Sequence, residues 1–232
     1  VEGDGTACAA DGPGRLVRTQ VVMHTSLTLR LEAPELSRAE LVAASDAAFA
    51  EVRRLEGLFS AFLPTSDVAR LNAAAGGEPI EVAPETHALV IRALGLAERT
   101  GGAYDPVAGA LTRLVKQAGD APAEGAVRAA CSQSGWHLAR ITEDGRLALT
   151  RRGAGLDLGG SAKGEALDRV ASLLAERGIT AGCLNFGGQL LQLGGAATRV
   201  EDRGAFAPVA LTKGSLATTG DDERAVPETR GA

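Results

Sequence analysis

The feature that most constrains this chain is a short apolar strand that breaks on two glycines and runs directly into a helix. Leu156 and Leu158 predict the strand, Gly159-Gly160 predicts the break, and the helix begins near Lys163. Gly178 marks the end of that helix. Apolar residues recur along it at helical spacing: Ala166, Leu167, Val170, Leu173 and Leu174.

A glycine turn that feeds a helix start places unpaired backbone N–H groups and the positive end of the helix dipole together. Such a place favours anions, above all phosphate. Lys163 adds a cation, and Asp157 and Asp168 flank the turn, where they could hold that lysine, a hydroxyl or a metal ion. The glycines alone leave a second interpretation open, an ordinary strand-to-helix connection.

The composition is typical of a globular protein and argues against some kinds of partner. The chain has 232 residues, which allows one large or two small domains, and its 45% hydrophobic and 23% charged residues are typical of a globular protein. A net charge of −5 without a basic cluster argues against a nucleic-acid partner. No apolar run approaches the roughly 18 residues that cross a bilayer.

The three cysteines lack metal-ligand spacing. Cys131 and Cys183 are predicted to be small buried hydrophobic residues. Cys8 lies in a polar, glycine-rich segment, residues 1–18, which is predicted to be a flexible leader. One interpretation makes Cys8 a lipid-modified membrane anchor of an exported protein, although the residues before it match a lipobox poorly.

The remaining pattern predicts an α+β fold with mixed or antiparallel sheets and packed helices. Asp144-Gly145 between two apolar runs is a strong hairpin signal, and a hairpin requires antiparallel pairing. Ser37 and Glu40 form a capping box that begins a long helix ending near residue 58. Strands are predicted at residues 20–31, 80–82, 183–186, 189–193 and 209–212; helices at 67–72, 84–99 and 111–117; and a linker at 119–125.

Four loops each expose hydroxyls, carboxylates or glycine N–H groups: residues 60–67, 100–105, 159–163 and 218–222. A ligand with several phosphates and polar rings would need such a set, whereas each loop alone is typical of an ordinary turn. Phe62 and Tyr104 could stack on a flat ring or form the edge of a core. The histidines, His24 in a strand, His87 on a helix and His137 in the hairpin, are interpreted as structural or surface residues.

Six segments in order carry a resemblance to a known family. They are Met23-His24-Thr25, Phe59-Ser60-Ala61-Phe62 with Ser66 and Asn72, Gly102-Ala103-Tyr104-Asp105-Pro106, Asp157 to Gly164 with Asp168, Asn185-Phe186-Gly187-Gly188, and Ala217-Thr218-Thr219-Gly220-Asp221. From about residue 22 to residue 224 the chain resembles the ApbE-like family of FAD:protein FMN transferases. The resemblance implies an ApbE-like, T-fold-related architecture.

The resemblance also implies a chemistry. It predicts a Mg²⁺-dependent enzyme that splits FAD, transfers FMN to a Thr or Ser hydroxyl of a partner flavoprotein, and releases AMP. The implied catalytic residues are Asp157, Lys163 and Asp168, and the implied Mg²⁺ ligand is the carbonyl of Ala162. The implied cofactor-binding residues are Met23, Ser60, Ala61, Phe62, Tyr104, Asp105, Gly160, Lys163, Gly187, Gly188, Thr219 and Gly220.

Departures from the family pattern keep alternatives open. His24 stands where the family has glycine, Gln189 where aspartate is usual, and Asp222 where tyrosine is common. The later segment that supplies side-chain Mg²⁺ ligands has no counterpart, so residues 19–232 are expected to form one flavin-transferase domain lacking its C-terminal part. The alternatives are a non-enzymatic FAD-binding protein and an FAD pyrophosphatase that gives FMN and AMP. The family also predicts export to the periplasm or cell envelope, with a cytoplasmic location left open.

Overall fold

The structure, a computed structural model, describes residues 12–117, 122–200 and 209–218. The strands of this part are β1 (Arg15–Val22), β2 (Thr25–Glu32), β3 (Ala139–Ile141), β4 (Leu147–Leu149), β5 (Ala181–Phe186), β6 (Gln189–Gly194), β7 (Thr198–Val200), β8 (Val209–Leu211) and β9 (Gly214–Ala217). The α-helices are α1 (Arg38–Phe59), α2 (Asp67–Ala73), α3 (Pro84–Arg99), α4 (Gly109–Gln117), α5 (Glu124–Ser132) and α6 (Ala162–Ala175).

The chain divides into two compact units. The first contains the described residues up to Arg54 and from Lys163 onwards, and the second contains the described residues from Leu55 to Ala162. All strand pairs in the described residues are antiparallel, so the predicted α+β class is confirmed.

The first unit is built on a five-stranded sheet in the order β1-β2-β5-β6-β9. Leu27, Leu29 and Leu31 alternate along β2 and are almost completely buried, as the period of two predicts. The single strand predicted at residues 20–31 is in fact a hairpin, because Met23-His24 forms a two-residue turn between β1 and β2. Since β1 begins at Arg15, the predicted leader already includes the start of a strand.

The capping box at the start of α1 is confirmed. The Ser37 N–H donates to Glu40 Oε2 at 2.8 Å, and the Glu40 N–H donates to Ser37 Oγ at 3.3 Å. The Ser37 hydroxyl also donates to Glu40 Oε2 at 2.7 Å. This bond, and after it the bond from the Ser37 N–H, lowers the pKa of Glu40 because both favour the charged carboxylate. The apolar residues that recur at helical spacing along α1 are buried: Leu41, Ala48, Val52, Leu55 and Phe59.

The second unit contains α2 to α5, the hairpin of β3 and β4, and a short 3₁₀ helix at Trp136–Leu138. The hairpin is confirmed, but the predicted strand at residues 80–82 is reduced to one bridge between Ile80 and Leu147. The predicted linker at 119–125 is wrong from Glu124, where α5 begins, and residues 118–121 lie outside the described part.

The predicted strand at Leu156 and Leu158 is also wrong, although both side chains are buried. The side chain of Asn72 makes the hydrogen bonds to Leu156 that a neighbouring strand would otherwise make. Asn72 Nδ2 donates to the Leu156 carbonyl at 2.9 Å, and the Leu156 N–H donates to Asn72 Oδ1 at 2.6 Å. Both backbone groups of Leu156 are therefore satisfied without a β ladder.

None of the helices in the described ranges is long and apolar enough to cross a membrane.

Candidate functional site

In the first unit, two turns that carry predicted site residues meet at one end of the sheet. Met23-His24 joins β1 to β2, and Gly187-Gly188 joins β5 to β6. The Gly187 N–H donates to the Ser26 carbonyl at 3.0 Å. A β-carbon added to Gly187 would lie 2.5 Å from Thr25 Oγ1, so this close approach requires glycine.

The last residues of β9 and the first turn of α6 reach the same end of the sheet. Thr218 Oγ1 donates to the Gly188 carbonyl at 3.1 Å, and the Gly188 N–H donates to Asn185 Oδ1 at 3.1 Å. A β-carbon on Gly164 would lie 3.2 Å from Gln189 Nε2. The first unit therefore contains two of the six family-like segments whole, together with Lys163-Gly164 and Ala217-Thr218 from two others.

In the second unit, Tyr104 lies against the glycine turn. A β-carbon on Gly160 would lie 3.1 Å from Tyr104 Cε2, and the tyrosine hydroxyl donates to Ser161 Oγ at 3.2 Å. Burial raises the pKa of Tyr104, the bond to Ser161 opposes that rise, and the nearby carboxylates of Asp157 and Asp105 add to it. The hydroxyl is thus held neutral and able to donate.

Asp105 fixes the loop that carries Tyr104. Its Oδ1 accepts the N–H of Val107 at 2.8 Å, and its Oδ2 accepts the N–H of Trp136 at 3.0 Å. Both carboxylate oxygens thus have backbone partners, which gives Asp105 a structural function. The cofactor contact that the resemblance implies for Asp105 stays a prediction.

The loop after α1 places Ser60, Ala61 and Phe62 together. Ser60 Oγ accepts the N–H groups of Phe62 at 3.1 Å and Leu63 at 3.3 Å, so this hydroxyl stabilises the loop. The Phe62 side chain is 61% exposed, and Lys116 Nζ lies 4.6 Å from its ring centroid, a cation–π contact. The Phe62 ring is therefore largely exposed, with Lys116 over one of its faces.

The glycine turn itself is only partly open. The Gly159 N–H donates to Asp157 Oδ1 at 2.9 Å, and the amides of Ser161 and Ala162 both donate to the Leu158 carbonyl, at 2.9 and 2.7 Å. Internal bonds therefore use three N–H groups that the sequence predicted to be unpaired.

Within residues 12–117, 122–200 and 209–218, no acceptor lies on the N–H of Gly160, Lys163 or Gly164. The first turn of a helix is where such unpaired donors are expected. These three amides, with the Lys163 ammonium group, are the part of the turn that can bind an anion.

The family model described as the ApbE family matches residues 23–232. The chain belongs to the ApbE family. An FAD:protein FMN transferase of Treponema pallidum (strain Nichols) is 31% identical over 186 residues, which cover 76% of this chain and 51% of that protein. The chain therefore spans about half the length of this curated relative.

Solved structures support the fold. The ApbE protein of Thermotoga maritima matches with a TM-score of 0.80 and 26% identity, over 90% of this chain and 72% of that one. The H257G mutant of the flavin transferase ApbE from Vibrio cholerae matches with a TM-score of 0.79 and 20% identity, over 89% and 73% of the two chains. The apo form of the Pseudomonas stutzeri flavinyl transferase ApbE gives 0.78 and 22%, over 89% and 68%. At these identities the last two comparisons show the fold alone.

The described residues do not provide a complete set of side-chain ligands for the Mg²⁺ ion that the family resemblance implies. No group of three or more His, Cys, Asp or Glu side chains gathers there to hold a metal. Asp168, which the resemblance implies as a catalytic residue, is exposed on α6. Its role and the implied Mg²⁺ ligand, the Ala162 carbonyl, stay predictions.

Other predicted residues fall as follows. His24 lies in a turn rather than a strand, and His137 lies in the 3₁₀ helix rather than in the hairpin, whereas His87 is on α3 as predicted. Cys183 is buried as predicted, but Cys131 is exposed. Thr219, Gly220 and Cys8 lie outside the described residues.

Sequence reasoning did not assign a function to Ser161. A serine directly before a helix is a capping signal, so the position was readable. That its hydroxyl turns instead to Tyr104, 57 positions away, required the tertiary structure.

Proposed function

We propose that this ApbE-family chain binds FAD and takes part in transferring FMN to a Thr or Ser hydroxyl of a partner flavoprotein. The observation that carries the proposal is the start of α6, where the N–H groups of Lys163 and Gly164 lack acceptors in the described part of the chain. A diphosphate is an anion that such a helix start favours. The named activity of the Treponema relative supports the same conclusion.

The proposed reaction is a phosphoryl transfer. The acceptor hydroxyl oxygen forms a bond to the phosphorus on the flavin side, the bond from that phosphorus to the bridging oxygen breaks, and AMP leaves with the bridging oxygen. The hydroxyl proton passes to solvent. Such a reaction needs positioning and charge stabilisation rather than a covalent nucleophile on the protein.

A few residues of the chain have a defined function in this proposal. The backbone N–H groups of Lys163 and Gly164 and the Lys163 ammonium group bind the diphosphate. The family resemblance assigns Phe62, whose ring is largely exposed, and Met23 to the flavin or adenine pocket, and a cofactor contact to the turn Gly187-Gly188. Mg²⁺ would neutralise charge on the phosphate oxygens; it belongs to the proposal through the family resemblance, with the Ala162 carbonyl as the implied ligand.

The experiment incubates the protein with FAD, MgCl₂ and an acceptor domain that bears a flavinylation threonine. In-gel flavin fluorescence of the acceptor, with release of AMP, is the expected result. Release of AMP and FMN without labelling would indicate an FAD pyrophosphatase. FAD binding with neither product would indicate a flavin-binding protein, and absence of binding would refute the proposal.

A matched pair of lysine variants tests the site. Lys163→Ala should weaken FAD binding by about tenfold or more, because a charge-assisted contact to phosphate is removed. Lys213→Ala serves as the control, since Lys213 is exposed and precedes β9 at the opposite end of that strand from Thr218. Equal affinities of the two variants by fluorescence titration would count against the diphosphate site.

The cellular location belongs to the same proposal. The family resemblance supports export to the periplasm or cell envelope, and lipid modification of Cys8 would provide the membrane link. Mass spectrometry of protein purified from native membranes tests this. An unmodified Cys8 on protein recovered from the soluble cytoplasmic fraction would contradict it.

A further inference from the structure

Helix α2 is joined by side-chain hydrogen bonds to a different backbone segment at each of its ends. Directly before it, the buried Ser66 donates its hydroxyl to the carbonyl of Ser60, where the Phe62 loop (residues 60–65) begins. In its last turn, Asn72 Nδ2 donates to the Leu156 carbonyl at 2.9 Å, and Asn72 Oδ1 accepts the Leu156 N–H at 2.6 Å. Ser66 and Asn72 are separated by about 9 Å of helix.

The helix is itself held in place within the second unit. Val68 and Leu71 are almost completely buried. Asp67 Oδ2 accepts the Ala83 N–H at 2.8 Å and the Thr86 hydroxyl at 2.7 Å, which joins α2 to the start of α3. Because a close-packed and bonded helix does not slide, the two segments that its ends hold are kept at a fixed separation.

The bonds from Asn72 act on the backbone that leads into the glycine turn. Leu156 is buried, and the next residue, Asp157, donates its N–H to the Pro106 carbonyl at 2.8 Å. Asp157 Oδ1 accepts the Gly159 N–H at 2.9 Å and so closes the turn. Since these bonds do not involve Asn72, loss of its amide would detach the turn from α2 without opening the turn.

We infer that Ser66 and Asn72 are positioning residues that act through α2 to fix the distance between the Phe62 loop and the glycine turn. The inference rests on the proposed function, in which Phe62 contacts a ring of FAD and the turn contacts the diphosphate. A ligand that contacts both segments binds more tightly when their separation matches its own length. A ligand that contacts one segment gains nothing from that separation, so the arrangement favours the complete dinucleotide over its fragments.

The first experiment is a calorimetric titration with FAD of the wild-type protein, Ser66→Gly, Asn72→Ala and the double variant. Ser66 also caps α2 by accepting the Ala69 N–H at 3.0 Å, and glycine is used there because it is tolerated at an N-cap. Each single variant should bind FAD about tenfold more weakly, because the fixed separation is lost.

The double variant tests whether the two residues act through the same helix. It should bind FAD no more than about threefold more weakly than the weaker single variant, because either substitution alone already frees the distance between the segments. A weaker double variant would show that the two residues act independently. That result, or a single variant as tight as wild type, would overturn the inference.

The second experiment distinguishes a lost separation from damage to one segment. Riboflavin, adenosine and inorganic pyrophosphate each carry the group for one segment, so their affinities for both single variants should stay within about threefold of wild type. A fragment that loses as much affinity as FAD would show that the substitution damages one segment alone, and would overturn the inference. The titrations are run well below the Tm, where lost folding stability alone changes none of these ratios.

Gln192→Ala is the matched control. Gln192 is a buried amide in the first unit, and its Nε2 donates to the carbonyls of Gly194 at 2.7 Å and Ala196 at 2.9 Å. Its loss should lower the Tm and leave FAD affinity unchanged; an equal loss of FAD affinity would overturn the inference. If Asn72→Ala does not fold, Asn72→Asp replaces it, since aspartate keeps the acceptor for the Leu156 N–H and removes only the donor.

The wild-type titration separates this inference from the proposed function. Absence of FAD binding by the wild-type protein would refute both. FAD binding by the wild-type protein, with equal affinity in Ser66→Gly and Asn72→Ala, would refute the inference alone.

Discussion

His24 shows strain at the scale of a single residue. With φ values of +48° and +62°, Met23 and His24 form a hairpin turn in the left-handed region without a glycine. A side chain in this region costs about 1–2 kcal/mol because its β-carbon crowds the backbone. The sequence predicted a continuous strand here, since neither residue is a typical turn residue.

We expect His24→Gly to stabilise the protein by about 0.5–1 kcal/mol, the relief of strain less the added entropy of a glycine in the unfolded chain. Chemical denaturation measures this difference. His24→Ala keeps a β-carbon and should give no such gain. If alanine and glycine stabilise equally, backbone strain is not the cause.

Tyr104 provides a second prediction at this scale, because it is the single tyrosine of the chain. Burial raises its pKa above the ordinary value of 10.0. Spectrophotometric titration of tyrosinate should therefore give a midpoint above 10.0 in the native protein and near that value in denaturant. Ser161→Ala should raise the native midpoint further, because the bond to Ser161 favours the charged form.

The raised pKa of Tyr104 makes the stability of the folded protein depend on pH. The neutral tyrosine is favoured in the folded state, so its contribution is fully present below the unfolded pKa. It is lost as pH rises from that value through the higher native pKa. A native midpoint at or below the unfolded one would contradict the partial burial of the tyrosine hydroxyl.

At the scale of the element, two glycines differ in the space that surrounds them, and alanine substitutions at these positions should therefore have opposite effects on stability. Gly182 in β5 has a φ of +133°, and a β-carbon there would lie 2.1 Å from the Arg30 carbonyl oxygen of β2. The register of β5 with β6 shifts between Gly182 and Cys183, so this is a bulge in the central strand. Gly57 lies in α1 with no atom near its β position.

We therefore expect Gly182→Ala to cost about 3 kcal/mol or more, because strain and a backbone clash combine. Gly57→Ala should instead stabilise by about 0.5–1 kcal/mol through helix propensity. Equilibrium unfolding of both variants measures the difference. Similar effects of the two substitutions would show that β5 can relax away from β2.

At the scale of the whole molecule, the proposal predicts how ligands change stability. FAD at about 100 times its dissociation constant should stabilise the protein by about 2.7 kcal/mol, which is a Tm increase of about 5–10 °C for a chain of this size. FMN and AMP, which lack the diphosphate, should give smaller increases at the same concentration. Increases as large as that of FAD would show that the diphosphate is not the recognised group.

By itself, the sequence determined much of the local structure, because hydrophobic period, capping and turn chemistry are local. The alternation along β2, the serine–glutamate box before α1 and the Asp144-Gly145 hairpin were all readable in this way. The family-like segments also located the glycine turn at the start of α6.

Only the tertiary structure decided which of these groups are available for chemistry. Whether a hydroxyl or an N–H is open depends on partners far apart in the chain, and no local pattern contains them. Asn72 replaces a strand for Leu156, Asp105 is used by the backbone of Trp136, and Tyr104 takes the hydroxyl of Ser161. The predicted turn is therefore open to a ligand only at Gly160, Lys163 and Gly164 within the described chain, because internal bonds already satisfy its other amides.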